Sequence, residues 1–173
     1  MEISQNVIVC VNLLDEAKRK GIRLDLNLLS KRLGVPIVGV TARKKKSLSL
    51  LTAAMDKAAN KDNTKSDYNA YKVEYSMTLE KAIGIIESAI EPFNCKNLNK
   101  RWLSLKLLEN DKSLKNDLKK HLGAELFENP EIKNAVAKST AVLNTSGITA
   151  EKLKDEIVSA IVTQAETIAD GVI

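Results

Sequence analysis

Hydrophobic residues fall in two different rhythms along this chain. Residues 6–11 (NVIVCV) and 35–40 (VPIVGV) are short, β-branched and almost continuously apolar. That is the reading of strands buried on both faces of a parallel sheet. The stretch between them has a helical pattern and the length of a crossover connecting two parallel strands. Asp15 is placed to begin one helix ending near Gly21, and Asp25 to cap a second running to Leu33, with Gly34 as its stop. Ser47 opens a third helix, LSLLTAAMDKAA, with apolar residues three and four apart.

Residues 60–70 (NKDNTKSDYNA) are polar, lack periodicity and read as a linker. YKVEYS, just beyond, reads as a short extended segment. The rest is helical. Thr78 starts a helix with Leu79, Ile83, Ile86 and Ile90 on one face, stopped by Pro92. Residues 98–109 put Leu98, Trp102 and Leu105 on one stripe with Leu103 and Leu107 beside it, so Trp102 is expected in the core. Leu114, Leu118 and Leu122 form the next apolar face, ending at Gly123. Asn129-Pro130-Glu131 combines a cap, a first-turn proline and an acid favoured by the helix dipole. Thr149 begins the last helix, with Leu153, Ile157, Ile161, Ile168 and Val172 inside. The expected fold is therefore a partial α/β domain, two parallel strands with helices, over 1–60, a linker at 61–70, and an all-α bundle of about five helices over 71–173.

Composition narrows the function classes. At 44% hydrophobic and 28% charged residues the chain is globular, and with 3% aromatics its core must be aliphatic. It contains no run of 18 apolar residues that would span a membrane. Cys10 and Cys95 lie far apart and suggest no disulfide framework, so a reducing compartment is expected. The net charge of +5 is concentrated in residues 16–46, where ten Lys and Arg face Glu16 and Asp25. No aromatic is interleaved there to stack on bases, which argues against a nucleic-acid partner. The sole histidine, His121, sits at a helix end, and no Cys or His cluster offers metal ligands. Arg101 and Lys106 are left as either contacts to the α/β part or solvated surface.

The chemistry concentrates past the strand ends. Asn12 and Asp15 follow the first apolar run, the position where ligands bind in open α/β sheets. A carboxylate there accepts two hydrogen bonds from the guanine edge, from N1–H and the 2-amino group, and adenine offers neither donor. Asn12 braces the loop. After the second run comes Thr41-Ala42-Arg43, whose loop emerges beside the first if the strands are adjacent, and the Ala42 N–H is then a donor for guanine O6. By itself Asn-x-x-Asp is an ordinary strand end and helix cap; the second loop makes the pair specific.

These two loops resemble the fourth and fifth motifs of GTP-binding proteins, Asn-Lys-x-Asp and Ser-Ala-x, with Leu13 in place of the Lys and Thr41 in place of the Ser. The departures, together with Leu29-Ser30-Lys31-Arg32-Leu33-Gly34-Val35-Pro36, are similar to the cytosolic G domain of the ferrous iron transport protein B family. Lys100-Arg101-Trp102-Leu103-Ser104-Leu105-Lys106-Leu107-Leu108-Glu109-Asn110-Asp111 resembles the Arg-Trp-x-x-x-Lys-Leu-Leu-Glu-x-Asp signature of that family's helical domain.

The resemblance implies guanine binding through Asn12, Asp15, Thr41, Ala42 and Arg43, a helical guanine-nucleotide dissociation inhibitor domain, GTP or GDP as ligand, magnesium in the complete G domain, and a transporter membrane domain as partner on the cytoplasmic side of a bacterial membrane. No Gly-x-x-x-x-Gly-Lys-[Ser/Thr] occurs: Gly34-Val35-Pro36-Ile37-Val38-Gly39-Val40-Thr41 has the glycine spacing but no Lys. The phosphate-handling half is missing, so no catalytic residue and no GTP hydrolysis are expected of these residues alone. NVIVCV would expose an apolar edge, and pairing with another copy, a swap or a rearranged N-terminal region is expected. The rival expectation is a helical protein-interaction module that binds no nucleotide.

Overall fold

The computed structural model describes residue 3 and residues 7–59 and 70–173. The order is β1 (Val9–Val11), α1 (Leu14–Arg19), α2 (Leu26–Leu33), β2 (Ile37–Gly39), α3 (Lys45–Ala59), α4 (Met77–Ile90), α5 (Lys100–Glu109), α6 (Lys112–Leu122), α7 (Ala124–Glu128), α8 (Pro130–Thr145) and α9 (Ala150–Ala169). Two parallel strands with helices are followed by helices only, as the apolar pattern foretold. Nearly all of the expected linker lies outside the described residues. By its contacts the chain forms two compact units. One holds the described residues up to 72, except Ile3, together with 163–173; the other holds Ile3 and 73–162.

In the first unit β1 and β2 pair in parallel, Val9 opposite Ile37, Cys10 opposite Val38 and Val11 opposite Gly39. The Val9 N–H donates to the Pro36 carbonyl at 3.0 Å and the Val40 N–H to that of Val11 at 2.8 Å. Val35 and Val40, at the two ends of the second apolar run, are buried. Asp25 caps α2 as expected, accepting from the Leu28 N–H at 2.8 Å. Gly34 ends it with φ 61°, a left-handed conformation that costs glycine little. Asp15 does not begin α1. Leu13 stands at the cap in a left-handed conformation, φ 61°, and Asp15 lies inside the first turn. α3 starts at Lys45, two residues before Ser47.

Residues 163–173 are fastened within this unit by polar contacts to α2 and its flanks. The Asp25 N–H donates to the Val172 carbonyl at 2.8 Å. Arg32 Nη1 donates to the carbonyls of Thr167 at 3.0 Å, Ile168 at 2.9 Å and also Asp170. A cation at the C-terminal end of α9 meets the negative end of the helix dipole there. Tyr71 Oη donates to Gln164 Oε1 at 2.7 Å. Val172, expected inside the last helix, is buried but lies beyond its end. Ile161, also expected inside, is exposed.

The second unit is built on α4. Leu79, Ile83, Ile86 and Ile90 recur at helical spacing and are fully buried. Ser76, not Thr78, caps this helix, accepting from the Leu79 N–H. YKVEYS forms no strand. α5 is buried around most of its circumference, with Leu103, Ser104, Leu105, Leu107 and Leu108 all covered, which is why no single stripe describes it. Trp102 is half-buried against that core. Ser139 on α8 is fully buried and satisfied, donating to the Ala82 carbonyl of α4 at 2.8 Å. Asn129 caps α8 as expected, accepting from the Glu131 and Ile132 amides. Leu126 and Phe127 are buried on the short α7, which the apolar pattern did not reveal.

Arg101 is neither solvated nor directed at the α/β part. It is 7% exposed and grips Glu80 with both Nη atoms, at 2.5 and 2.6 Å, while Nη2 donates to the Val73 carbonyl at 2.9 Å. Its guanidinium lies 5.3 Å from the Tyr75 ring centroid. Lys106 pairs with Glu109 one turn on. Breaking a buried bidentate pair leaves its partner without compensation, so Arg101→Ala is expected to destabilise the helical unit by about 3 kcal/mol, read by denaturant unfolding followed through Trp102 fluorescence.

Glu128 lies between Lys119 at 2.8 Å and Lys133 at 2.7 Å. Hydrogen bonds from these two ammonium groups hold its pKa down at about 2. The folded pKa is below the unfolded one, so the link is complete above the ordinary glutamate range and is lost as pH falls toward 2. NMR titration is expected to show Glu128 ionising far below the ordinary glutamate range, and Lys119→Met to move it upward.

Candidate functional site

All five residues singled out past the strand ends lie at the C-terminal ends of β1 and β2. The parallel pairing delivers the two loops side by side, and cross-links fix them. The Leu14 N–H donates to the Val40 carbonyl at 3.3 Å. Asn12 Oδ1 accepts from the Leu13 N–H at 2.7 Å within its own loop and from the Ala42 N–H at 3.3 Å in the other. Asn12 thus braces both turns. The Ala42 amide, expected as a free donor, is engaged by Asn12.

Asp15 is carried by the first turn of α1. Its side chain is 29% exposed, with Oδ2 at 3.7 Å from Arg43 Nη2. Its other oxygen, Oδ1, is buried and has no hydrogen-bond partner among the described residues. A buried carboxylate oxygen without a donor costs free energy unless a ligand satisfies it. Arg43 also lies 3.9 Å from Glu16 Oε1, and its side chain is 75% exposed. Leu13, where GTP-binding proteins carry the Lys, presents an exposed apolar side chain beside these groups.

Thr41 is held by a residue that sequence reasoning treated only as a helix start. Ser47 Oγ accepts from the Thr41 N–H at 3.1 Å and lies 2.7 Å from the Thr41 carbonyl oxygen. Glu16 was also missed; as the second acid of an Asp-Glu pair it read as a helix surface. Gly39 matters for packing. A Cβ there would meet Leu14 Cδ1 at 2.5 Å and Leu26 Cδ1 at 2.6 Å, so its bare backbone lets α1 and α2 close on β2. Magnesium, implied by resemblance for a complete G domain, finds no fitting ligand set: among the described residues no three His, Cys, Asp or Glu side chains come together.

Residues 75–173 match the family described as FeoB cytosolic helical domain, and residues 1–55 match Ferrous iron transport protein B. The chain belongs to the ferrous iron transport protein B family. The Fe(2+) transporter FeoB of Salmonella choleraesuis (strain SC-B67) is 30% identical over 111 residues, covering 64% of this chain and 14% of that protein. The Escherichia coli (strain K12) transporter of the same name is 27% identical over 129 residues, 73% of this chain and 16% of that one. The chain therefore spans a small part of the FeoB relatives it matches.

Solved FeoB structures share the fold. An S. thermophilus NFeoB variant bound to GMPPNP matches with TM-score 0.69 at 17% identity, over 96% of this chain and 58% of its own. The apo cytosolic domain of the T. maritima FeoB iron transporter matches with TM-score 0.60 at 20% identity, over 96% and 56%. Both alignments leave about two fifths of the FeoB cytosolic region without a counterpart here.

The close approach at Gly39 is testable. Gly39→Val is expected to push Leu14 and Leu26 off the sheet and cost about 1–3 kcal/mol. Hydrogen exchange should quicken at β1, β2, α1 and α2 while α4 and α8 keep their protection.

Proposed function

We propose that this chain is the base-recognising part of a FeoB G domain joined to its helical regulatory domain, within the cytosolic region of a ferrous iron transporter. The division proposed is 1–60 for the G-domain half, 61–70 for the connection and 71–173 for the helical, dissociation-inhibitor-like domain. The ligand is a guanine nucleotide. Asp15 accepts from N1–H and the 2-amino group, Asn12 holds the two loops in register with Ala42, and Thr41 and Arg43 shape the second loop. The observation that carries this reading is the buried Asp15 Oδ1, without a partner among the described residues, beside a second loop cross-linked to the first. Adenine brings no donor to that oxygen, so specificity follows from an unpaired buried acceptor.

Binding by these residues alone is weak and GTP is not hydrolysed. The sequence holds no glycine-rich loop with Lys to cradle the phosphates, and phosphoryl transfer depends on positioned charge at the phosphates. In the intact transporter the partner is the membrane domain, and the site works at the cytoplasmic face. The β1 edge is a further association surface, open to a second copy of this chain.

Calorimetric titration with GDP tests the proposal. Wild-type protein is expected to bind GDP and to ignore ADP. Asp15→Ala is expected to lose about ten- to a hundredfold in affinity, the worth of hydrogen bonds to a charged acceptor. Equal affinity for the two nucleotides, or an Asp15→Ala protein that binds GDP unchanged, would sink it.

A further inference from the structure

We propose that Arg43 is a built-in competitor of the purine for Asp15. The inference rests on the guanine reading given above and adds a specific regulator to that site. A guanine edge presents two N–H donors across one N–C–N unit, and an arginine guanidinium presents the same unit. In this structure Arg43 Nη2 stands 3.7 Å from Asp15 Oδ2, the carboxylate that guanine would use. The side chain thus imitates the ligand from within the second loop.

Three observations make this contact a competitor and not a permanent lock. First, the pairing is incomplete. Arg43 reaches Oδ2, while Oδ1 stays buried without a partner among the described residues. Guanine, with two donors in fixed geometry, satisfies both oxygens and so outbids a single long contact.

Second, the arginine has somewhere to go. Glu16 Oε1 lies 3.9 Å from the same Nη2, and among the described residues Glu16 is otherwise paired with the exposed Arg19 at 3.5 Å, so Arg43 moves from one acid to its neighbour without losing a counter-charge. Third, the side chain is 75% exposed, so its release exposes little apolar surface and leaves the packing untouched. The other polar group facing the base is held in the same manner, the Ala42 N–H being engaged by Asn12 Oδ1 at 3.3 Å. The two loops thus engage most of the groups a base needs, and binding is an exchange of partners.

Guanosine is the probe that isolates this exchange, because it carries no phosphate whose own salt dependence would mask the effect. Its binding to the full chain is followed by NMR chemical-shift titration. Arg43→Gln removes the competing charge and is expected to tighten guanosine binding about two- to fivefold, the range set by exposed ion pairs. Wild-type affinity is expected to rise as salt increases from about 0.01 M to about 1 M, because screening weakens the Arg43–Asp15 contact first. Arg43→Gln is expected to show a flat salt response. Circular dichroism checks that the variant is folded.

An affinity for Arg43→Gln equal to or below the wild type overturns the proposal, since Arg43 is then a bystander or a base contact, and leaves guanine recognition standing. Failure of both proteins to bind guanosine, or equal binding of adenosine, overturns the guanine reading and the proposal together.

Discussion

The pairing of β1 with β2 is the constraint on which the rest of the first unit depends. It consists of three residues opposite three, with Val11 against Gly39 at the end that matters. Parallel strands deliver their following loops to the same edge of the sheet, whereas antiparallel strands would deliver them to opposite edges. Asn12 and Ala42 are thirty residues apart in the chain and meet only because of this register. A slip by one residue would turn every side chain to the other face and separate the loops. Gly39 protects the register from above, since α1 and α2 pack their leucines where a side chain would otherwise stand.

The helical unit depends on a different arrangement. A fully aliphatic α4 face is surrounded by α5 and α8, and the fully buried hydroxyls and the Arg101 Nη atoms find specific partners: Ser139 the Ala82 carbonyl, Ser104 that of Lys100, Arg101 Glu80 and the Val73 carbonyl, while Arg101 Nε and Glu156 Oε1 find none among the described residues. With so few aromatics, close packing of branched aliphatic chains carries the stability, and each buried polar group needs a specific partner to be tolerated. The Arg101 cluster ties the irregular stretch before α4 to α5 and so gives a segment without regular structure a defined path.

Much of this was legible in the residues. The two apolar runs announced parallel strands, although both are only partly buried and Cys10 is exposed, Asp25 and Gly34 marked both ends of α2, and Asn129-Pro130 marked the start of α8. Local chemistry decides those features, so a local reading finds them. What escaped depends on residues distant in sequence. Asp15 looked like a cap, but Leu13 takes that role because the loop is held by Asn12 and Val40. Arg101 read either as a contact to the α/β part or as a solvated charge because nothing near it in sequence announces Glu80, one helix earlier. At the candidate site, the adjacency of the two loops was readable and their internal pairings were not. That Ala42 donates to Asn12 and Arg43 faces Asp15 follows from side-chain geometry across two loops.

The clasp on the last residues has a consequence for how the chain is made. The α/β unit is discontinuous: it needs 163–173, fastened to Asp25 and Arg32, and the whole helical unit is synthesised between its two pieces. On the ribosome the helical unit has all its parts first. The earlier-born strands must wait for the final turns of α9 before their own unit is closed, so the order of completion is the reverse of the order of translation for the segment that carries the two loops.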